Sequence, residues 1–386
     1  MTSSYDVIVV GVGSMGASTC YRLAERGAKV LGLEQGPLPN PEASFAGATR
    51  AIRLSYNEHP DYVPLLVRAY ELWEELEEVV GKSLLQLTGA VYMGLPDGEL
   101  VSGSLRSAEV HGLAHDLLTH EELASRWPQF HLPDSFVGLH EERAGYLLSE
   151  QAVTAYMEEA LRRGADLRGQ QAVVDWEAGQ GGVTVRTRDE QFHARHLVLT
   201  AGAWTGQLLR GLGIELSVTR QVLGWVWPNM PEKFTGDKFP VWLIDEAGGK
   251  GVHYGFPLTL DGSGGVGLKA ALHFPSRVVD PNTVDRTLAP GDAEEVAKPF
   301  EQYIPDGRGP LLSSKVCLYT NSPDGHFIVD RHPEHEEVTL ACGFSGHGFK
   351  FASVMGEVLA DLSTSGVTDW PIEFLGLSRF ESRASS

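Results

Sequence analysis

The sequence is poor in cysteine and in positive charge. Its three cysteines, Cys20, Cys317 and Cys342, are odd in number and far apart, so they suggest neither a disulfide framework nor a paired-cysteine metal site. The 31 lysines and arginines are outnumbered by 51 aspartates and glutamates, which gives a net charge of −20. Because so negative a surface repels phosphate backbones and anionic membranes, we expect no nucleic-acid or membrane partner.

Long hydrophobic runs are also missing. No apolar stretch approaches the ~20 residues that a membrane span requires. The N-terminus runs into a strand pattern without the basic region of a signal peptide. These features predict a cytoplasmic protein. With 386 residues, 42% of them hydrophobic, and 44 dispersed glycines, the chain is expected to be a globular enzyme of one large or two ordinary domains.

A glycine-rich turn lies between a predicted strand and a predicted helix near the N-terminus. Residues 5–10 have the β-branched and apolar character of a strand, and Gly11-x-Gly13-x-x-Gly16 follows at once. Such glycines allow a tight turn, close approach of the backbone to a pyrophosphate, and close packing of helix on strand. Glu34 ends the next strand, where its carboxylate could bind a ribose. The motif predicts a dinucleotide site but does not distinguish NAD from FAD.

A second glycine-rich segment lies near the C-terminus, where residues 343–350 read Gly-Phe-Ser-Gly-His-Gly-Phe-Lys. Its backbone N–H groups and the helix after it could stabilise the negative charge that builds on a flavin ring during reduction. An NAD-dependent dehydrogenase needs no such late loop. The segment therefore favours FAD, with an ordinary turn before a helix as the alternative.

Six short segments recur in the order and spacing of a known family. They are Tyr-Asp-Val-Ile-Val-Val-Gly at 5–11, Thr-Arg-Ala-Ile-Arg at 49–53, Tyr-Val-Pro-Leu at 62–65, Tyr-Gly-Phe-Pro at 254–257, Cys-Leu-Tyr-Thr at 317–320 and Ser-Gly-His-Gly-Phe-Lys-Phe at 345–351. Together they resemble the monomeric sarcosine oxidase and N-methyltryptophan oxidase family over nearly the whole chain. The last two are specific, whereas the first is shared with many flavoproteins.

The resemblance implies an FAD-dependent amine oxidase that acts as a monomer on a small secondary amino acid and O2. A hydride equivalent would pass to the flavin, the imine product would hydrolyse, and O2 would leave as hydrogen peroxide. The expected fold is α/β (α+β), with a discontinuous Rossmann-type FAD-binding domain interleaved with a substrate domain built on an antiparallel sheet with helices. We expect the FAD-binding domain at 1–85, 145–214 and 315–386, and the substrate domain at 86–144 and 215–314.

The resemblance also assigns roles to individual side chains. Cys317 matches the cysteine that binds the flavin covalently, although the residues alone favour a buried structural cysteine. Arg53 and Lys350 match a pair that holds the substrate carboxylate. Arg50 matches an arginine that lies near the flavin ring and assists attachment. Lys269 matches the lysine that activates O2, because a fixed positive charge stabilises the charge that develops on reduced oxygen.

Further residues follow from the same match. Tyr254, Tyr319 and His273 are expected to line the substrate pocket, and with Lys269 and Arg50 they form the predicted catalytic set. The predicted cofactor-binding residues are Gly11, Gly13, Ser14, Met15, Gly16, Glu34, Ser44, Thr49, Arg50, Val173, Ala201, Gly202, Trp204, Cys317, Gly343, Gly346, His347, Gly348, Phe349 and Lys350.

One departure from the family pattern leaves the substrate open. The family typically has two histidines after a serine, whereas here Ser44 is followed by Phe45 and Ala46. A polar group near the flavin is lost, which affects attachment and pocket polarity. The alternatives are an oxidase of cyclic or bulky secondary amino acids such as pipecolate, proline or N-methyltryptophan, an NAD-dependent dehydrogenase, and a flavin-binding regulator without turnover.

Helices are predicted at two further places. Residues 60–80 have an amphipathic pattern with a proline at the start and Gly81 after the end. A second helix is expected to run to about Arg163, with Ser149 as its N-terminal cap.

Overall fold

The structure is a computed structural model, and it describes residues 4–179, 181–209, 212–246, 251–259, 262–274 and 276–383. These residues contain twenty β-strands and eight α-helices. The strands are β1 (Ser4–Val10), β2 (Val30–Leu33), β3 (Thr49–Ile52), β4 (Leu85–Leu87), β5 (Ala90–Gly94), β6 (Asp116–Leu118), β7 (Val137–Glu141), β8 (Gly145–Leu148), β9 (Asp166–Arg168), β10 (Val173–Gly179), β11 (Gly182–Thr187), β12 (Gln191–Leu199), β13 (Ser217–Val226), β14 (Val241–Glu246), β15 (Gly251–Phe256), β16 (Leu268–Leu272), β17 (Arg277–Val278), β18 (Leu311–Asn321), β19 (Ile328–Arg331) and β20 (Val338–Cys342). The helices are α1 (Ser14–Glu25), α2 (Val63–Val80), α3 (Glu99–His111), α4 (His120–Arg126), α5 (Ser149–Arg162), α6 (Thr205–Leu208), α7 (Asp292–Gln302) and α8 (Ala352–Thr364).

The first sheet has eight strands in the described residues, and the N-terminal glycine motif follows its strand β1. The strand order is β10, β11, β12, β1, β2 and β9, with β20 also paired to β12 and β19 to β20. Strand β1 is parallel to both of its neighbours. Val7 and Val9 pack with α1 and α8, whereas Ile8 and Val10 belong to the core on the other face. Burial on both faces explains the unbroken apolar run of β1.

The second sheet has nine strands in the described residues and is antiparallel except where β14 pairs with β5. Its order is β17, β13, β16, β15, β14, β5, β7 and β6, with β18 on the other side of β13. Helix α7 covers one face through Val296 and Phe300. Strand β18 crosses the expected domain boundary at 314/315, so Cys317 lies in this sheet, opposite Gln221.

A small, separate sheet of three strands holds the segment that leads into β3. Strand β8 lies between β3 and β4 and is antiparallel to both. Because Thr49 pairs with Leu148 and β8 leads directly into α5, the first turn of α5 is held beside the residues that precede β3. The segment before β3 contacts the second sheet through Lys269 and Cys317, and its Phe45 faces Gly13 of the glycine motif.

The predicted α/β fold, with a Rossmann-type unit interleaved with an antiparallel domain, is confirmed. The helix expected at 60–80 begins with a 3₁₀ turn at Pro60–Tyr62 and ends at Gly81, whose φ is 64°. The prediction that Ser149 caps α5 is wrong, because Ser149 is the first helical residue and its hydroxyl donates to the Glu150 carboxylate. No helix in the described part of the chain combines the length and apolar character of a membrane crossing.

Candidate active site

A cavity of about 500 Å³ joins the two glycine-rich segments. The predicted cofactor residues on its walls are Gly11, Gly13, Ser14, Met15, Glu34, Ser44, Arg50, Val173, Ala201, Gly202, Trp204, Gly343, Gly346, Gly348 and Phe349. Tyr319 lines the cavity too, and so does Phe45. The other predicted cofactor residues are found behind this wall: Gly16, Thr49, Cys317, His347 and Lys350.

The glycine turn after β1 leaves no room for side chains at two of its positions. Gly11 has a φ of 89°, and a Cβ there would lie 2.5 Å from the Thr200 carbonyl oxygen. A Cβ on Gly16 would overlap the Gly11 carbonyl oxygen. Gly13 differs, since the nearest described atom to its Cβ would be on Phe45, 4.0 Å away, and no described side chain caps α1 there. The first amides of α1 are therefore available to a phosphate.

Glu34 lies at the end of β2, as predicted, and is almost fully buried. Its Oε2 accepts a hydrogen bond from the Val12 amide at 3.0 Å. Its Oε1 accepts from the Gly36 amide at 3.1 Å and from Asn40 Nδ2 at 2.9 Å. Since each carboxylate oxygen can accept two hydrogen bonds, Oε2 retains capacity for a ribose hydroxyl. The fixed carboxylate therefore suits the nucleotide half of a dinucleotide.

Arg50 and Cys317 meet at the other end of the cavity, although they are far apart in sequence. The Cys317 thiol is buried and donates to the Ala46 carbonyl oxygen at 3.0 Å, with Arg50 Nη2 3.9 Å from its sulfur. Arg50 also donates to the carbonyl oxygens of Ser44, Ala46 and Thr49 at 2.7 to 2.8 Å. The guanidinium thus holds the 44–49 loop, and its charge lies next to the thiol.

Lys269 is buried, against the usual behaviour of a strand lysine. Its Nζ donates to the carbonyl oxygens of Gly47 at 2.7 Å and Thr49 at 2.6 Å, and to the Thr49 hydroxyl at 3.1 Å. The ring of Phe256 lies 4.6 Å from the same nitrogen. Burial, with the nearby Arg50 charge, lowers the pKa of Lys269 well below its ordinary value. The Lys269 amino group is therefore poorly solvated and held by neutral acceptors.

Arg53 follows β3 and is paired with a carboxylate that the sequence did not predict. Its Nη2 lies 3.0 Å from both carboxylate oxygens of Glu58 and 2.7 Å from Asn57 Oδ1, while Nη1 donates to the Ser55 carbonyl oxygen at 3.0 Å. Burial alone would raise the pKa of Glu58, but the charges of Arg53, His347 and Lys350 lower it to about 2. Glu58 is therefore ionised at neutral pH.

Lys350 lies near Arg53, and both cations pack against the ring of Tyr56. The Arg53 Cζ is 4.5 Å and the Lys350 Nζ 5.0 Å from the centre of that ring. Lys350 Nζ donates to the His347 carbonyl oxygen at 2.8 Å. Burial and the Arg53 charge lower the pKa of Lys350 to about 7, against the opposing effect of Glu58. The predicted pair is thus together, and Glu58 supplies one negative charge beside these two cations.

The three predicted pocket residues also meet. His273 Nδ1 lies 3.1 Å from the Tyr319 hydroxyl, and the rings of Tyr254 and His273 are 6.1 Å apart. Burial lowers the pKa of His273 to about 3, with His347 adding to the effect. Its imidazole is neutral, so this wall is aromatic and uncharged. The wall suits a neutral amine better than an ammonium.

Sequence analysis missed four side chains that complete the site: Asn40, Tyr56, Glu58 and Glu150. Tyr56 and Glu58 lie within five residues of Arg53 in the sequence, and this closeness was the signal that could have found them. Asn40 and Glu150 belong to no recognisable motif. His347, predicted to bind cofactor, contacts the Tyr56 hydroxyl at 2.5 Å and the Gly325 carbonyl oxygen at 3.1 Å, and it is not among the residues that line the cavity.

A phosphate cradle, a buried carboxylate for a ribose and a second glycine-rich wall define the class of a flavin-dependent oxidoreductase. The comparisons make this specific. A family model described as FAD dependent oxidoreductase matches residues 6–362, so the chain belongs to that family. Family membership confirms FAD, and not NAD, as the cofactor.

The chain is 42% identical to a monomeric sarcosine oxidase of Streptomyces avermitilis, with 96% of this chain and 97% of the relative covered. It is 33% identical to an N-methyl-L-tryptophan oxidase of Salmonella enteritidis, with 97% and 99% covered. Among solved structures, the open form of NikD, an unusual amino acid oxidase essential for nikkomycin biosynthesis, matches with a TM-score of 0.86. That match covers 97% of this chain and 98% of NikD at 24% identity, and it supports the fold alone.

Proposed function

We propose that this protein is an FAD-dependent oxidase of sarcosine or another small secondary amino acid. The observation that carries the proposal is the buried meeting of Arg53 and Lys350 on the ring of Tyr56. Glu58 supplies one negative charge for these two cations, and a substrate carboxylate would supply a second. Phe349, the neighbour of Lys350, lines the cavity, so the carboxylate would be held beside the flavin end.

The residues present fit FAD at both ends. The free amides of α1 would receive the pyrophosphate, Glu34 the ribose, and the 343–348 segment the flavin edge. When bound, FAD takes a hydride equivalent from the carbon next to the amine nitrogen and passes the electrons to O2. The protein then contributes binding and orientation, and the imine product hydrolyses in water.

The aromatic wall would orient the amine. Tyr254, Tyr319 and neutral His273 offer hydroxyl and imidazole groups but no charge. A secondary amine entering here is favoured in its neutral form, whose lone pair assists loss of hydride from the adjacent carbon. No strong base is required of the protein.

Glu58 would compete with the substrate for Arg53. Both oxygens of its carboxylate lie 3.0 Å from Arg53 Nη2. A substrate carboxylate must therefore displace Glu58 or share the guanidinium N–H groups with it. Lys350 donates hydrogen bonds only to neutral acceptors among the described residues, so a substrate carboxylate need not displace an anion from it. We propose that the lysine recruits and the arginine fixes the acid group.

Lys269 would assist the reaction with O2. Its charge is fixed by three hydrogen bonds in an apolar setting, where it stabilises negative charge developing on oxygen more strongly than it would in water. We propose hydrogen peroxide as the reduced product.

Anaerobic bleaching of the flavin by a panel of amines tests the proposed substrate class. Sarcosine should bleach the bound flavin, and dimethylamine, which has the same amine without the carboxylate, should do so far more slowly. Proline, pipecolate and N-methyltryptophan in the same panel decide between a small and a bulky pocket. If no amino acid bleaches the flavin, the protein binds flavin without turning over an amino acid, and the proposal is wrong.

We also propose that the flavin is bound covalently through Cys317. The sulfur lies 3.9 Å from Arg50 Nη2 and 3.0 Å from the Ala46 carbonyl oxygen, at the same end of the cavity as the proposed substrate site. Cys317→Ser should yield flavin that acid precipitation releases, whereas wild-type flavin should stay with the protein. Cys342→Ser is the matched control, because Cys342 is buried and lines the same cavity. Acid-stable flavin in the Cys317 variant would refute the linkage.

We further propose that the enzyme acts as a monomer in the cytoplasm. The names of the sarcosine oxidase relatives support the monomer, and three unpaired cysteines support a reducing compartment. Light scattering of the purified holoprotein should give a mass near 42.0 kDa. A mass near twice that value would contradict the proposal.

A further inference from the structure

Glu150, in the first turn of α5, is a half-buried carboxylate to which the reaction described above gives no role. It accepts a hydrogen bond from the Gly47 amide at 2.6 Å on Oε1. The Ala48 amide donates to the same carboxylate, 3.1 Å from Oε1 and 2.8 Å from Oε2. Two consecutive backbone amides thus point at one anion, which is a strong and directional arrangement.

The backbone that presents these amides is strained. Gly47 has a φ of 129°, and a Cβ there would overlap Leu223 Cδ1. Ala48 has a φ of 66°, in the left-handed region that an alanine rarely adopts. Such a conformation persists only when its surroundings fix it, and the Glu150 carboxylate, together with the bond from the Ser149 amide to the Ala48 carbonyl oxygen at 2.9 Å, does so.

Each of these amides shares a planar peptide unit with a carbonyl group at the reacting end of the cavity, which is the end where Arg50, Lys269 and Cys317 lie. The Gly47 N–H belongs to the same unit as the Ala46 carbonyl, which accepts from Cys317 at 3.0 Å and from Arg50 at 2.7 Å. The Ala48 N–H belongs to the same unit as the Gly47 carbonyl, which accepts from Lys269 at 2.7 Å. Because N–H and C=O point in opposite directions across a trans peptide, fixing one fixes the other.

We propose that Glu150 is a positioning residue that orients the 46–47 and 47–48 peptide units, and through their carbonyl oxygens the Cys317 thiol and the Lys269 ammonium. The inference rests on the proposed function in that it assumes a flavin beside these two groups. It adds that covalent attachment and reaction with O2, assigned to different residues, depend on one carboxylate.

Glu150→Gln in the full-length holoprotein tests this. The substitution keeps the shape of the side chain, but it replaces one acceptor oxygen by an NH₂ group that cannot receive the amides. After light-driven reduction of the flavin with oxalate as the electron donor, we expect reoxidation by O2 to be slowed about tenfold or more, as for the loss of a hydrogen bond to a charged group. The acid-stable fraction of the flavin should fall as well.

Two further variants separate positioning from general stability. Ser149→Ala removes a hydroxyl that donates to the same carboxylate at 2.8 Å, and it should leave both measurements near wild type. Glu150→Asp keeps the charge on a shorter side chain and should restore part of the reoxidation rate. If Glu150→Gln yields no folded protein, Glu150→Asp alone decides, with an intermediate rate expected.

A lowered melting temperature with wild-type reoxidation and wild-type acid-stable flavin, in either Glu150 variant, would make Glu150 merely structural and overturn the inference. Light-driven reduction needs no amino acid. If the wild-type flavin is bleached by no amino acid, the proposed function fails, but the comparison of reoxidation rates still decides the role of Glu150.

Discussion

The two ends of the cavity are built in opposite ways. The phosphate end comes from one β-α-β unit within residues 4–34 and uses backbone amides and missing side chains. The reacting end uses the side chains of five residues from four segments that are far apart in sequence: Arg50, Arg53, Lys269, Cys317 and Lys350. The first end is a local property of the chain, whereas the second exists only after the sheets have assembled.

The ends also differ in how their polar groups are satisfied. At the phosphate end the first amides of α1 are open to a ligand among the described residues. At the reacting end each cation already has protein partners, namely Glu58 for Arg53 and carbonyl oxygens for Lys269 and Lys350. We therefore expect substitutions that add side-chain volume to have their largest effect at the phosphate end, and substitutions that change charge to have theirs at the reacting end.

The largest effect should come from volume at the phosphate end. In Gly16→Ala the new Cβ would overlap the Gly11 carbonyl oxygen and lie 2.9 Å from Thr200 Oγ1, so helix and strand must separate. We expect purified protein without flavin absorbance and without uptake of added FAD. Gly206→Ala is the control, since no described atom lies within 4 Å of a Cβ there. Normal FAD content in Gly16→Ala would show that the phosphate end tolerates added volume, and the proposed difference between the two ends would be wrong.

Charge at the reacting end should have the next largest effect. Lys269→Met keeps the length and apolar contacts of the side chain but removes the ammonium. We expect reoxidation of reduced flavin by O2 to slow about 100-fold or more, because a preorganised charge is lost at the place where charge develops. Anaerobic flavin reduction by substrate should change much less. The exposed Lys238→Met serves as control, and equal losses in both half-reactions would exclude an oxygen-specific role.

The same contrast explains how much the sequence revealed. Strand β1, the glycine turn, α1 and Glu34 were predicted because their signals are local periodicity and fixed spacing. The residues of the reacting end were named only through a family resemblance, since nothing local marks Lys269 as buried. Even the resemblance did not reveal Glu58 beside Arg53, nor the carboxylate of Glu150 on the 44–49 loop.

The wrong prediction at Ser149 has a related cause. A serine before an apolar helical pattern is a common cap, and no local signal told otherwise. In the fold, the antiparallel pairing of β3 with β8 brings the 44–49 loop to the start of α5, and the Ser149 amide donates to the Ala48 carbonyl oxygen. A tertiary contact thus moved the helix start by one residue.

A smaller effect should follow from the shape of the Arg53 charge. Arg53→Lys keeps the positive charge but loses the planar fork that binds two carboxylate oxygens at once. We expect KM for the amino acid to rise about 10-fold to 100-fold, with kcat changed much less, as for the loss of a charge-assisted hydrogen bond in binding. The exposed Arg143→Lys should behave as wild type. An unchanged KM in Arg53→Lys would place the carboxylate elsewhere.

The smallest predicted effect is a pH dependence of carboxylate binding that distinguishes Lys350 from Arg53. Because burial lowers the pKa of Lys350 to about 7, the free protein loses this charge as the pH rises through that value. Affinity for propionate, a carboxylate without an amine, should therefore fall by up to about tenfold per pH unit above about pH 7. Flavin absorbance changes on titration with propionate measure this affinity.

Lys350→Arg isolates the cause, because a guanidinium stays protonated throughout this range and the fall in affinity should disappear. The stability effect has the opposite direction. Between a pKa of about 7 in the folded protein and the ordinary 10.5 of an unfolded lysine, the unfolded chain binds more protons, so Lys350 makes the free energy of unfolding rise with pH. If propionate affinity falls above pH 7 in both the wild type and Lys350→Arg, a group other than Lys350 titrates, and the prediction is wrong.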